Sequence, residues 1–257
     1  MDDPAVSIVV LALGLFAAIV LSLEIGRRIG RRRAKLSAEA ATGLGAIDGA
    51  VFGLMGLVIA FTFSGAASRF DSRRHLIADE ANAIGTAYLR LDLLPANLQP
   101  ALRETFRRYV HSRLAVYQKL PDLQAAKEEL ATASNLQGEI WTQSVAACQA
   151  AGPPAAMLVL PALNQMIDIT TTRTMAAQIH PPVIIFVMLV VLILASALLA
   201  GNSMAGSPTR SWTHMLAFAA AMAVAVYVIL DIEYPRLGLI RIDAFDQVLV
   251  DLRESMK

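Results

Sequence analysis

Four long apolar runs constrain the fold of this chain more than any other feature of its sequence. They cover residues 6–23, 43–67, 183–200 and about 212–230, and an α-helix needs roughly 20 residues to cross a membrane. The chain is 56% hydrophobic and 17% charged, which exceeds the apolar share of soluble domains. The sequence therefore predicts an all-α membrane protein with four transmembrane helices.

The segment between the second and third runs has the charge density of a soluble domain. Phe70, Ile77, Ile84 and Leu91 recur every seven residues, as on one face of a long helix. We expect span two to continue as one helix over about residues 51–94, ending before Pro95. Further helical patterns cover residues 98–118, 123–150 and 155–179.

These patterns divide the chain into four parts. Residues 1–67 hold transmembrane helices 1 and 2 with a basic loop, and residues 68–180 form a helical extramembrane domain. Residues 181–232 hold transmembrane helices 3 and 4, and residues 233–257 form a polar tail.

The basic residues after the first run predict the orientation. Six of them lie between the first two spans: Arg27, Arg28, Arg31, Arg32, Arg33 and Lys35. Short loops rich in Lys and Arg stay on the cytoplasmic side. The chain is thus predicted to be a multi-pass cell-membrane protein with its N-terminus, residues 68–180 and its C-terminus on the periplasmic or extracellular side.

The second run differs from the others because small residues follow two stripes along it. Gly45, Gly49 and Gly53 recur every four residues, and so do Gly56, Ala60 and Ser64. Small residues at this spacing let another helix approach closely. We predict that this helix packs against neighbouring helices.

The same run contains an acidic residue, Asp48. An acid within a span usually faces a water-filled path or a polar partner. If the helix begins only at Gly49, Asp48 is instead a first-turn acid that interacts with the helix dipole. Both interpretations stay open from the sequence.

The far end of the second run combines two aromatic rings with a group of charges. Around an oligomer axis, Phe61 and Phe63 could form a pore constriction, and a set of nearby charges could select ions at its mouth. Those charges are Arg69, Asp71, Arg73 and Arg74. The alternative is that these residues anchor the helix at the membrane interface.

Other polar residues give weaker signals. Asn164, Asp168 and Thr172 form a stripe at a spacing of four, which indicates a solvated face, an inter-helix contact or a ligand site. The four histidines lie far apart, the one cysteine is Cys148, and the net charge is +1. No catalytic motif is present, so we predict no enzyme activity, no metal or cofactor, and no nucleic-acid partner.

Several motifs resemble the bestrophin-like family of bacterial and plant membrane proteins. They are Phe61–Gly65, Arg69–Asp71, Glu80–Arg90, Pro161–Asn164 and Asp231–Arg236. The resemblance implies four membrane helices, a helical domain between the second and third, and a homo-oligomer in a bacterial inner membrane with its pore along the second helix. Bestrophin channels hold that domain in the cytoplasm, whereas the basic segment of this chain predicts the outside.

Two functions from different classes follow. The first is a homo-oligomeric ion channel lined by the second transmembrane helix, anion-conducting by analogy with bestrophins, with the lipid bilayer and inorganic ions as partners. Asp48 would then be a further pore-mouth charge, at the cytoplasmic end of that helix. The alternative is a non-conducting sensor or scaffold whose helical domain binds a ligand or protein. In that case Glu80, Asn82, Asn164 and Asp168 would carry the polar contacts.

Overall fold

The computed structural model describes residues 4–36, 44–207, 209–236 and 238–256, and within them every regular element is a helix. The predicted all-α fold class is confirmed. The α-helices are α1 (Pro4–Leu36), α2 (Leu44–Leu89), α3 (Gln99–Gln118), α4 (Leu123–Ala151), α5 (Pro153–Gln178), α6 (Val183–Ser203), α7 (Trp212–Glu233) and α8 (Gln247–Ser255). Short 3₁₀ turns occupy Arg90–Leu93, Met204–Gly206 and Asp243–Asp246.

Turn and capping residues explain the helix ends in the middle of the chain. The Asp122 carboxylate accepts the first free backbone N–H groups of α4, those of Gln124 and Ala125, at 3.1 and 3.0 Å. Gly152 then ends α4 with a φ of 96°, a backbone conformation that residues with a Cβ rarely adopt. Pro153 opens α5, where its missing N–H costs nothing.

The first helix is longer than its apolar run. The six basic residues predicted in a loop lie instead on the last turns of α1, which extends to Leu36. Their charges cannot stay in the hydrocarbon core, so the apolar part of α1 spans the membrane and the basic part extends beyond it.

The chain divides into two compact units. The first comprises Met1–Ser68 and His180–Ile240, and the second Arg69–Ile179 and Arg241–Lys257. Of the residues that we predicted as a polar tail, 233–240 therefore belong to the first unit and 241–257 to the second, where Leu249 of α8 is buried.

Helix α1 organises the first unit by packing on α6 and α7. Two glycines of α1 allow the close crossing with α6. A Cβ at Gly26 would overlap the Leu198 carbonyl, and one at Gly30 would overlap Ala205 and Asn202. From the other side, a Cβ at Gly201 would overlap the Leu23 backbone. Gly26 and Gly30 follow the four-residue spacing of small residues in membrane helix pairs, and this spacing is the signal in the sequence for the crossing.

The second unit has a core of its own. Its fully buried side chains come from α2 to α5, from α8 and from the 3₁₀ turn after α2, and they include Ile84, Leu91, Phe106, Leu163 and Leu249. The heptad positions Ile77, Ile84 and Leu91 are among the most buried residues of the chain, as the sequence period predicts.

Four helical stretches of the described chain are long and apolar enough to cross a membrane. They cover Ser7–Ala34, Gly45–Leu93, Pro153–Gly206 and Trp212–Glu233. The most apolar window of the second stretch is only 11% buried inside the chain, the lowest share of the four. The part of α2 in this unit therefore offers most of its surface to lipid or to other molecules.

Candidate functional site

The apolar part of α2 has one packed face and one open face. Met55, Thr62 and Ala66 are buried in the first unit, whereas Leu57 and Phe61 are 51% and 68% exposed. An open apolar helix face within a membrane meets lipid, another subunit or a pore. This face is therefore the candidate site.

Phe61 and Phe63 point in different directions. Successive helical residues are rotated by about 100°, so positions two apart project about 200° from each other. Both rings are exposed, at 68% and 45%. A ring of α2 helices around one axis can thus place only one of the two side chains at the centre.

The small residues of α2 have open space around them. A Cβ at any of Gly45, Gly49, Gly53 and Gly56 would meet nothing within 4 Å, and Ala60 and Ser64 are exposed. Within the described part of the chain, the close helix contacts predicted for these residues are not made. Their role in packing stays a prediction that requires another subunit.

Asp48 lies in the second turn of α2, since the helix begins at Leu44. It is therefore not a first-turn acid. Its Oδ2 accepts a hydrogen bond of 3.1 Å from the hydroxyl of Ser203, the last residue of α6. The structure thus gives the carboxylate a polar partner in the first unit.

Arg73, one of the predicted mouth charges, is buried at the end of another helix. Its Nε donates to the Ala176 carbonyl at 3.1 Å and its Nη2 to the Ile179 carbonyl at 3.0 Å. These carbonyls lie at the C-terminus of α5, where a positive charge is favourable. Arg73 therefore fastens α2 to α5 in the second unit.

The other mouth charges are more exposed. Arg74 pairs with Asp71 at 3.1 Å, and its guanidinium lies 4.2 Å from the ring centre of Phe245. Asp71 is exposed and Arg69 is half-buried.

A cluster of four charged side chains lies in the second unit around Glu80. Arg113 Nε donates to Glu80 Oε1 at 2.6 Å, and both side chains are fully buried. Arg173 bonds the other Glu80 oxygen and also Asp246 at 2.9 Å. The Tyr117 ring centre lies 3.9 Å from the Arg173 guanidinium. The Glu80 carboxylate therefore joins α2, α3 and α5, and Arg173 extends the cluster to the 3₁₀ turn at Asp246.

Two groups in α3 show the electrostatic effect of this cluster. Burial disfavours the charge of Arg113, but attraction from Tyr117 and Glu80 keeps its pKa above the usual range. Burial and the Glu80 charge raise the pKa of Tyr109 to about 12. The neutral Tyr109 hydroxyl accepts from Gln137 at 3.0 Å and lies 2.9 Å from Thr170 Oγ1.

The other residues of the predicted polar set lie elsewhere. Asn82, Asn164 and Asp168 are exposed, so the structure does not bring them to Glu80. The Thr172 hydroxyl bonds the Asp168 carbonyl of its own helix at 3.1 Å.

A second buried acid, Asp231, holds the chain after α7. Its two oxygens accept the backbone N–H groups of Leu239 and Ile240 at 2.9 and 2.8 Å. A Cβ at Gly238 would overlap the Asp231 carboxylate, so only glycine lets the backbone come this close. The sequence signal was an acid at the end of an apolar run, followed by Pro235 and Gly238.

Glu233, two residues further on, pairs with His180. The Glu233 side chain is fully buried and its Oε1 lies 2.9 Å from His180 Nδ1. The imidazole stacks on Tyr234 with ring centres 4.5 Å apart. This contact joins the end of α7 to the segment before α6.

Among the described residues, no three His, Cys, Asp or Glu side chains are grouped as a metal site requires. The features that stand out are the open face of α2 and the buried charge clusters, on a chain with four potential spans. Together they define a multi-pass α-helical membrane protein.

Comparison with known proteins gives the family. The model of the bestrophin-like domain matches residues 13–244, and the chain therefore belongs to the bestrophin-like family. A search of curated proteins found no match.

Two solved structures share the fold, both of a bacterial bestrophin homologue from Klebsiella pneumoniae with a point mutation. The first has 14% sequence identity and a TM-score of 0.64, over 95% of this chain and 99% of the homologue. The second has 15% identity and a TM-score of 0.60, over 97% and 99%.

Proposed function

We propose that the protein is a homo-oligomeric ion channel whose pore is lined by α2. The observation that carries the proposal is the open apolar face of α2. The described part of the chain does not cover this face, which lies beside a stripe of small residues. Membership of the bestrophin-like family supports a channel, and by analogy with bestrophin chloride channels we propose anions as the conducted ions.

We assign the constriction to Phe61 and the adjacent subunit contact to Phe63. Phe61 is the more exposed ring and, by helix geometry, lies within about 40° of Leu57, so the two form one apolar stripe. Arg69, Asp71 and Arg74 are the proposed mouth charges. Arg73 holds α2 in place rather than meeting ions, because its donors bond the end of α5.

The proposal is tested by ion flux through the purified protein in liposomes, with chloride compared with sodium and potassium. We expect wild-type protein to conduct chloride. Phe61→Ala should raise the flux severalfold, because a smaller side chain widens an apolar constriction and lowers its barrier to water and ions. Phe63→Ala is the matched control and should leave the flux per assembled oligomer within about twofold.

Two results would contradict the proposal. The absence of flux under all ionic conditions would favour the sensor or scaffold. Flux that responds to Phe63→Ala but not to Phe61→Ala would reverse the assigned rotation of α2.

A further inference from the structure

The basic end of α1 holds a second cluster of charges. Glu24, Arg27, Arg28 and Arg31 occupy one face of α1, at successive spacings of three, one and three residues. Arg210, just before α7, reaches the same place. Glu24 Oε1 accepts from Arg28 Nε at 2.9 Å and from Arg210 Nη2 at 2.7 Å.

Positive charge is in excess in this cluster. Three arginines, Arg27, Arg28 and Arg210, act on Glu24, and its second oxygen, Oε2, has no hydrogen-bond donor among the described residues. Arg31 also donates to the Ser207 carbonyl, at 3.3 Å. Glu24 thus balances only part of the charge of Arg27, Arg28 and Arg210.

Arg27 is the residue that points to a ligand. It is only 4% exposed, yet within the described part of the chain its Nη2 has no acceptor. The charges of Arg31 and Arg210 act on it as well. A buried guanidinium donor without an acceptor is costly, and an anion between these arginines would remove that cost.

We propose that Arg27, Arg28, Arg31 and Arg210, which we call the arginine site, bind the phosphate group of an anionic phospholipid. The planar guanidinium matches two phosphate oxygens at once. The site lies where the apolar part of α1 ends, at the depth of lipid headgroups. Tryptophan is typical of that interface, and the ring centre of Trp212 lies 4.9 Å from the Arg210 guanidinium carbon.

The backbone around the site is fixed in advance. Gly26 and Gly30 flank Arg27 in sequence and lie at the close crossing with α6. Because the backbone that carries Arg27 is already tightly packed, it loses little conformational freedom when the site binds a ligand.

The test is native mass spectrometry of the detergent-purified protein titrated with phosphatidylglycerol, phosphatidylcholine or inorganic phosphate. We expect phosphatidylglycerol to saturate at one molecule per chain and to bind at least tenfold more tightly than phosphatidylcholine. Arg27→Gln should weaken it tenfold or more. Arg33→Gln, which removes the same charge from another face of α1, should change it less than twofold.

A further variant separates binding from folding. Glu24→Gln removes the competing carboxylate and should tighten phosphatidylglycerol binding severalfold, a result that general destabilisation does not produce. If Arg27→Gln does not fold, Arg210→Gln takes its place and should weaken binding severalfold.

Three results would overturn the assignment. Equal affinity for the two lipids would show that the site does not distinguish an anionic headgroup from a zwitterionic one. An equal loss of lipid affinity in Arg33→Gln would show that the effect of Arg27→Gln comes from net charge alone. Binding of inorganic phosphate with the same variant dependence, but not of lipid, would make a soluble anion the ligand.

Discussion

At the scale of single residues, Glu80 has partners from parts of the chain that are distant in sequence. Its arginine partners are 33 and 93 residues away. Helical periodicity places Glu80 on α2 but does not identify its ion-pair partners, because a period describes one helix and not the helices packed against it. The two arginines were absent from our predicted site for the same reason.

We predict that Glu80→Gln destabilises the second unit by about 3–5 kcal/mol, because it leaves Arg113 and Arg173 buried without their shared carboxylate. The free energy of unfolding can be followed by Trp141 fluorescence in a Trp212→Phe background, since the chain has two tryptophans. Asp79→Asn is the control, because Asp79 is exposed and should cost less than about 0.5 kcal/mol. Equal effects of the two variants would show that the buried ion pairs do not hold the unit together.

At the scale of helices, the sequence predicted most of the fold. The breaks between successive helices from α2 to α6 follow from Pro95, Pro121, Gly152 and Pro181, because Pro and Gly favour backbone conformations that end a helix. The crossing of α1 and α6 was not predicted, because it depends on which helices become neighbours in three dimensions. The extra turns of α1 do not show in the hydropathy pattern, because the change to polar residues marks the end of the apolar run and not the end of the helix.

We predict that Gly26→Ala destabilises the first unit by about 1–3 kcal/mol, because the new Cβ forces α1 away from the Leu198 carbonyl. Gly14→Ala on the same helix is the matched control, since a Cβ there meets nothing within 4 Å. Thermal unfolding in detergent, followed by Trp212 fluorescence in a Trp141→Phe background, measures the difference. If Gly14→Ala proves the more harmful, the α1–α6 crossing does not depend on its glycines.

For the whole molecule, the proposed orientation rests on the basic residues of α1. We predict that a cysteine at Thr132, exposed in the second unit, reacts with a membrane-impermeant maleimide added to intact cells, and that one at Arg33 does not. The native Cys148 is a suitable background, because it is buried and burial raises the pKa of its thiol. Labelling at Arg33 alone would place the second unit in the cytoplasm, as in bestrophin channels.

The proposed assembly depends on the small residues of α2. The space around them is open within one chain, which leaves room for a helix of another subunit. We predict that Gly53→Leu leaves the helical content unchanged but breaks the oligomer, because a large side chain separates two helix backbones that small residues bring close. Gly14→Leu, at an equally open position on α1, should leave the oligomer intact. Light scattering on the detergent-purified protein gives the subunit number for both variants. If Gly53→Leu stays oligomeric and still conducts, its stripe faces lipid, and the subunit contact lies on another face of α2.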